Sequence, residues 1–133
     1  MLNPQRMATK TVIQPQNAPK PLGPYSHAVR CGDLLFLAGQ IPLDPVTGAI
    51  VGDDIRSQTR QVLENIANIL KDQGLDASRV IKSTVFMTDL SEFGPMNEVY
   101  GGFFSTAPPA RSTIQVAALP RGAKVEIEVV AHY

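Results

Sequence analysis

Residue types that often carry chemistry by themselves are scarce in this sequence. Cys31 is the only cysteine among 133 residues, so no intrachain disulfide, thiolate metal cluster or CxxC redox pair can form. The two histidines, His27 and His132, lie far apart along the chain. Nothing beside them has metal-ligand spacing, and no metal is expected. An excess of charge of one sign is missing too. Twelve basic and twelve acidic residues cancel to a formal net charge of 0, and no Lys/Arg run appears. That balance gives no support for broad attraction to nucleic acid or to an anionic membrane. The longest uninterrupted apolar run, Leu34 to Ala38, is far too short for a membrane span. The first six residues have no apolar core of a secretory signal. Met7 offers a second start, so residues 1–6 read as an extension and the location reads as cytosolic. Catalytic signatures are also missing, with no G-x-S-x-G elbow, H-E-x-x-H helix or Gly-rich phosphate loop. Cys31 as a nucleophile would want a histidine beside it. His27 falls on the same predicted strand, but a bystander thiol is the plainer reading.

The length and an apolar content of 44% suit one domain with a real core. Residues 1–17 read as an extended N-terminal segment with an edge strand at Thr11–Ile13, and residues 18–133 as the domain. Ala28–Arg30 and Leu34–Ala38 flank a Gly32-Asp33 turn and form a hairpin. Pro42, Pro45 and Gly48 mark a loop. From Asp54 to Gln73 the apolar positions Ile55, Val62, Ile66, Ile69 and Leu70 follow a helical period with one buried face. Asp53 or Asp54 caps its start, and Gly74 with Leu75 makes a Schellman-type stop. Val80–Thr88 is a strand. Ser91 caps a second helix to about Phe104 whose stripe is Phe93, Met96, Tyr100 and Phe103 or Phe104, with Gly101-Gly102 weakening the last turn. Arg111–Val116 and Lys124–Ala131 are the last strands.

The order β-β-(β)-α-β-α-β-β implies an α+β domain whose two helices cover one face of a mixed sheet. Leu34–Ala38 is apolar at consecutive positions, so both faces of that strand avoid water. A closed homo-oligomer is the simplest cover for the second face.

Two residues invite a chemical reading. Arg111 follows Pro108-Pro109 at a strand start, where a planar guanidinium suits bidentate capture of a carboxylate. On the last strand Val125, Ile127 and Val129 share one face, while Glu126, Glu128, Val130 and His132 share the other. A carboxylate on that second face could orient a water. From spacing alone, such an arginine is more often a surface or ion-pair residue, and such a glutamate a solvated one.

Several segments taken together resemble the RidA/YjgF family. They are Gly23-Pro24-Tyr25-Ser26, Ala38-Gly39-Gln40-Ile41-Pro42, Lys82-Ser83-Thr84-Val85-Phe86, Asn97-Glu98-Val99-Tyr100, Pro109-Ala110-Arg111-Ser112, Ala118-Leu119-Pro120 and Val125-Glu126-Ile127-Glu128. The resemblance spans roughly Ala18 to Ala131, and the ordered combination is far more specific than any one segment. It implies a chorismate-mutase-like α+β fold, a homotrimer with a ligand cleft at each subunit interface, and no cofactor or metal. The activity implied is hydrolysis of 2-aminoacrylate and 2-iminobutanoate, products of pyridoxal-phosphate enzymes, to 2-oxo acids and ammonia. By position, Arg111 holds the substrate carboxylate and Glu126 positions or activates the water. Tyr25, Gly39 and Asn97 line the cleft, and Thr113 contributes its backbone carbonyl. Thr113 stands where bacterial members often have cysteine, and Ala38 where they often have serine. A protonated imine is already electrophilic, so an anchor and a placed water suffice. If Arg111 lies close to Glu126, its charge should keep that carboxylate ionised. The competing reading is a non-catalytic ligand sensor or protein-interaction trimer of the same fold. A ribonuclease is poorly supported without a basic surface or an acid–base histidine pair.

Overall fold

Asp54 and Gly74 bracket the longest helix, α1 (Ile55–Asp72), in the computed structural model, which describes residues 9–133. The N-terminal residues 1–6 read as an extension lie outside the described residues. Of the two candidate caps, Asp54 is the one used. Its carboxylate accepts from the Ser57 amide at 3.1 Å and its carbonyl from the Gln58 amide at 3.1 Å, satisfying orphan donors of the first turn. At the other end the Leu75 amide reaches the Leu70 carbonyl at 2.8 Å, and the Gly74 amide reaches that of Lys71 at 3.0 Å. This double closure is the Schellman pattern, and Leu75 packs on the core beyond it. Gly74 sits at φ 72°, where a side chain would strain the backbone.

The stripe of α1 is buried with some polar residues in it. Asn65 donates to the carbonyls of Leu43 at 2.9 Å and Ile41 at 3.3 Å, and accepts from Gln61 at 2.9 Å. Gln58 donates to the Gly52 carbonyl at 3.1 Å and accepts from the Lys124 amide at 2.8 Å. These side chains satisfy loop backbone groups that would otherwise be buried without partners.

Six strands form one sheet in the order β1-β2-β3-β6-β4-β5. β1 (Lys10–Ile13) lies on the edge against β2 (Ala28–Cys31). β2 and β3 (Leu34–Leu37) form the hairpin across Gly32-Asp33, with Cys31 opposite Leu34 and Gly32 at φ 60°. β4 (Val80–Met87) runs parallel to β5 (Ala110–Gln115), the other edge. β6 (Val125–His132) inserts antiparallel between β3 and β4. The crossover from β3 through α1 to β4 therefore skips one strand, which the chain's last segment fills.

The second helix, α2 (Phe93–Phe103), departs from the expectation of a Ser91 cap. Ser91 lies in a short 3₁₀ turn, Leu90–Glu92, where its amide donates to the Asp89 side chain at 2.9 Å. That turn feeds directly into α2, and Pro95 in the first helical turn has no amide to satisfy. Gly101-Gly102 do not end the helix early. Phe104 just beyond them is buried and its ring lies 4.7 Å from those of both Tyr100 and Phe103, and that packing outweighs the weak propensity of two glycines.

Both helices contribute to one core with Leu35, Leu37, Val85, Val125, Ile127 and Val129. The other face of the sheet carries Leu34 and Phe36, 37% and 44% exposed, and, three strands away, Ile114 on β5. The consecutive apolar run thus divides, with Leu35 and Leu37 in the core and Leu34 and Phe36 at the surface of the single chain.

The left-handed backbone at Gly74 makes a prediction. A Cβ there meets no atom within 4 Å, so Gly74→Ala should cost about 1–2 kcal/mol through backbone strain alone. Urea unfolding measures it, and a variant as stable as the parent would show that the positive φ does not hold the end of α1.

Candidate functional site

Arg111, Asn97 and Thr113 form one cluster and Glu126 and Gly39 another, one on each side of the sheet, while Tyr25 lines a cleft of its own. The first is built on β5 and α2. Ala107, at φ 48°, and the two prolines after it deliver the chain into β5, where Arg111 stands opposite Ser83. Its side chain therefore points to the helix-covered face. On α2, Phe93, Asn97 and Tyr100 recur at helical spacing and present one surface to it. Arg111 Nη1 donates to Asn97 Oδ1 at 2.7 Å. The guanidinium carbon lies 4.6 Å from the Tyr100 ring centre and 5.4 Å from that of Phe93, which adds cation–π attraction. The Tyr100 hydroxyl is hydrogen-bonded to Ser83 Oγ at 2.5 Å. Burial pushes its phenol up, against the opposing pull of the Ser83 bond and the Arg111 charge. The ion pairs among the described residues, Arg56–Glu98 and Lys124–Glu92, leave Arg111 out. An arginine seated by an amide and two aromatic rings, with no carboxylate neutralising it, is suited to an anionic ligand. Thr113 lies two residues along the same face, and its buried Oγ1 has no hydrogen-bond partner among the described residues.

The second cluster is built on β6 and the segment after β3. Strand alternation buries Val125, Ile127 and Val129 and turns Glu126 to the open face. Gln40 bridges to Ile127, donating to its carbonyl at 2.8 Å and accepting from its amide at 3.1 Å. This lays Gly39 directly against Glu126. A Cβ on Gly39 would come within 2.3 Å of Glu126 Oε2 and 2.8 Å of its Cδ. Only glycine lets the carboxylate lie on that backbone. Burial raises the Glu126 carboxyl above its ordinary value, and the nearby Glu128 charge adds to the shift. Tyr25 is 45% exposed, its hydroxyl accepts from the Leu22 amide at 3.1 Å, and its ring stands edge-on to His27. It borders a cleft of roughly 570 Å³ with Lys20 and His27.

The close approach that would let Arg111 keep Glu126 ionised is not met within one chain. Arg111 shares a row with Ser83 and Val129, so Glu126 lies three residues along, two strands across and on the opposite face. That is roughly 10 Å in each in-plane direction, with the sheet between them. Glu126 is instead raised by its own burial and a like charge.

Sequence reasoning placed Phe93 and Tyr100 on the core stripe of α2. Tyr100 is in the core, but Phe93 is 38% exposed, and both face Arg111. Their spacing from Asn97 was the available signal. His27, taken with Cys31, lies just before β2 and turns instead to the Pro19 carbonyl and Gln40. Among the described residues no three His, Cys, Asp or Glu side chains are grouped so as to hold a metal ion, and no helix is long and apolar enough to cross a membrane.

A mixed six-stranded sheet with two helices on one face, an unneutralised arginine behind its last edge strand and a desolvated glutamate on the bare face together define a class that comparison with known proteins identifies. The chain belongs to the YjgF/RidA/RutC family, whose model, described as Endoribonuclease L-PSP, matches residues 15–133. It is 52% identical to a RutC family protein of Pyrococcus horikoshii, over 92% of this chain and 98% of that one. It is 43% identical to the 2-iminobutanoate/2-iminopropanoate deaminase of Mus musculus, over 92% and 90%. Among solved structures it is similar to TdcF of E. coli with bound serine, at a TM-score of 0.88 and 44% identity, covering 92% of this chain and 98% of that one.

The electrostatics of Glu126 can be checked without any substrate. Burial and the Glu128 charge both raise its carboxyl within one chain, and carbon-detected NMR reads its midpoint. Replacing Glu128 with Gln removes a like charge and should move the midpoint down, because the Glu126 carboxylate is then less disfavoured. A midpoint unmoved by that replacement would contradict the proximity of the two carboxylates.

Proposed function

We propose that this chain hydrolyses small 2-imino acids, 2-iminobutanoate and 2-iminopropanoate, to 2-oxo acids and ammonia, in a homotrimer whose sites form between subunits. The observation that carries the reading is the division of the site. Arg111 with Asn97 and Glu126 with Gly39 are each well built, yet lie on opposite faces of one sheet. A cyclic assembly in which each copy sets its β5 side against the next copy's open face brings the halves together. It also covers Leu34 and Phe36, which the single chain leaves in water. The relatives named as imine deaminases support the activity. The neighbour that binds serine supports a small ligand bearing a carboxylate.

In this reading the substrate carboxylate docks on the Arg111 fork, whose orientation Asn97 and Tyr100 set. Thr113, on the same face, lends its backbone carbonyl to the imine nitrogen or the water, and Tyr25 closes the cleft beside Gly39. Glu126 takes a proton from water as it attacks the imine carbon. From the protonated imine this gives a neutral carbinolamine. That proton then passes to nitrogen, Glu126 takes the hydroxyl proton as the C–N bond breaks and the 2-oxo acid forms, and the last proton leaves with ammonia as ammonium. A carboxyl raised toward neutrality is a better proton carrier than an ordinary one. Water supplies the oxygen and no redox change occurs, so the reaction as written balances without a cofactor. The competing ligand-sensor reading makes no use of a desolvated carboxylate opposite an anion seat. The description as an endoribonuclease has no counterpart in a chain of net charge 0.

Four outcomes follow from this reading. Purified protein should scatter light as a species near three times 14.4 kDa. Arg111→Lys keeps the charge but loses the fork, and should lower kcat/KM roughly ten- to a hundred-fold. Glu126→Gln should lower kcat while 2-oxobutanoate still binds. Mixed trimers of these two weak variants should regain about a quarter of the parental sites, because half the arginines meet half the glutamates at random. If mixing restores nothing while both variants are trimeric, the site is not shared between copies. If each variant alone hydrolyses 2-iminobutanoate like the parent, the enzyme reading falls.

A further inference from the structure

His27 is buried, 7% exposed, and the catalysis proposed above does not use it. Its Nε2 faces the Pro19 carbonyl, which can only accept, so the ring proton sits on Nε2. Nδ1 then offers a lone pair, and Gln40 Nε2 lies 3.2 Å from it. The same amide nitrogen donates to the Ala38 carbonyl at 3.0 Å. Both neighbours of that nitrogen are acceptors, which fixes which end of the Gln40 amide points there. A second bond ties the same pieces together, from the Ala38 amide to the His27 carbonyl at 2.8 Å. The result is a continuous chain of donors and acceptors, running from the Pro19 carbonyl through His27 and Gln40 to the Ala38 carbonyl. Gly39, the wall against which Glu126 rests, lies between Ala38 and Gln40.

We propose that His27 is a positioning residue for the Glu126 half of the site. Its two ring nitrogens clamp the Pro19 carbonyl and the Gln40 amide, and so hold the Ala38–Gly39 backbone against the glutamate. The inference rests on the hydrolytic reading for its effect on rate, but not for its effect on Glu126 itself. The ring also stands 6.2 Å from that of Tyr25 at an interplanar angle of 83°, so the clamp braces the strand entry that carries Tyr25. An apolar side chain of similar size would fill the space but orient neither Gln40 nor Pro19. Gln40 would then keep only its bond to the Ala38 carbonyl, and with the tie to Pro19 lost the Gly39 wall would loosen. A glutamine in place of His27 offers an N–H at one end and an oxygen acceptor at the other.

The decisive comparison is His27→Leu against His27→Gln, neither of which titrates in the range of a carboxylate. His27→Leu should lower kcat about ten- to a hundred-fold, with KM for the imine within about two-fold, because the Arg111 anchor is untouched. His27→Gln should recover most of the loss. In carbon-detected NMR the Glu126 midpoint should fall toward its ordinary value in the leucine variant, as the loosened wall admits water, and stay at the parental position in the glutamine variant. If His27→Leu does not fold, Gln40→Met breaks the same chain from the other side and should lower both kcat and the midpoint. Equal behaviour of the leucine and glutamine variants in both readouts would overturn the clamp. So would a Gln40→Met variant with a parental midpoint. A parent protein without deaminase activity would instead remove the hydrolytic reading, and the Glu126 midpoints would still decide the role of His27.

Discussion

The insertion of β6 between β3 and β4 is the constraint on which both the fold and the site depend. The strand's alternate residues must serve two environments at once. Val125, Ile127 and Val129 close the core beneath the helices, and the same pleat turns Glu126 and Glu128 to the bare side. A one-residue slip would put two carboxylates into the core and three apolar side chains into water, so the register is strongly specified. It is reinforced on both flanks, by β3 and by β4. The bridge from Gln40 to Ile127 then extends that register into the segment carrying Gly39, which is how a core strand comes to set the environment of a surface carboxylate.

The same geometry keeps the two halves of the candidate site apart. Arg111 is oriented from the helix side by Asn97 and Tyr100, groups that belong to the packing of α2. Glu126 is oriented from the bare side by backbone. A sheet one residue thick separates them, and no rotamer change lets side chains meet through it. The proposed sharing of a site between copies would resolve this and would use the apolar strip of Leu34 and Phe36 as the adhesive surface. In that arrangement oligomer stability and chemistry rest on the same face.

Much of the architecture was legible in the sequence because its signals are local. The α1 stripe, its Asp cap and its Gly74-Leu75 stop are fixed by residues within a turn of one another. The Gly32-Asp33 hairpin and the alternation of β6 are equally local. The start of α2 was not, because Asp89 and Ser91 both suit a cap, and the turn they form is 3₁₀ leading into the helix. Phe93 illustrates the other failure. Helical spacing places it on a stripe with Met96 and Tyr100, but only the position of β5 decides that it meets a guanidinium rather than the core.

By itself the sequence determined the element order, the apolar faces, the family, and which residue types could serve as anchor and base. That Gly39 must be a glycine came only from the structure, where a side chain would meet the Glu126 carboxylate. The tertiary structure decided which groups share a face. It placed Arg111 with Asn97, Tyr100 and Phe93, set Glu126 against Gly39, turned His27 to Gln40 rather than Cys31, and kept the two charged residues apart. These outcomes depend on strand order and parity, which relate residues far apart in the chain, whereas composition and spacing report only on neighbours along it.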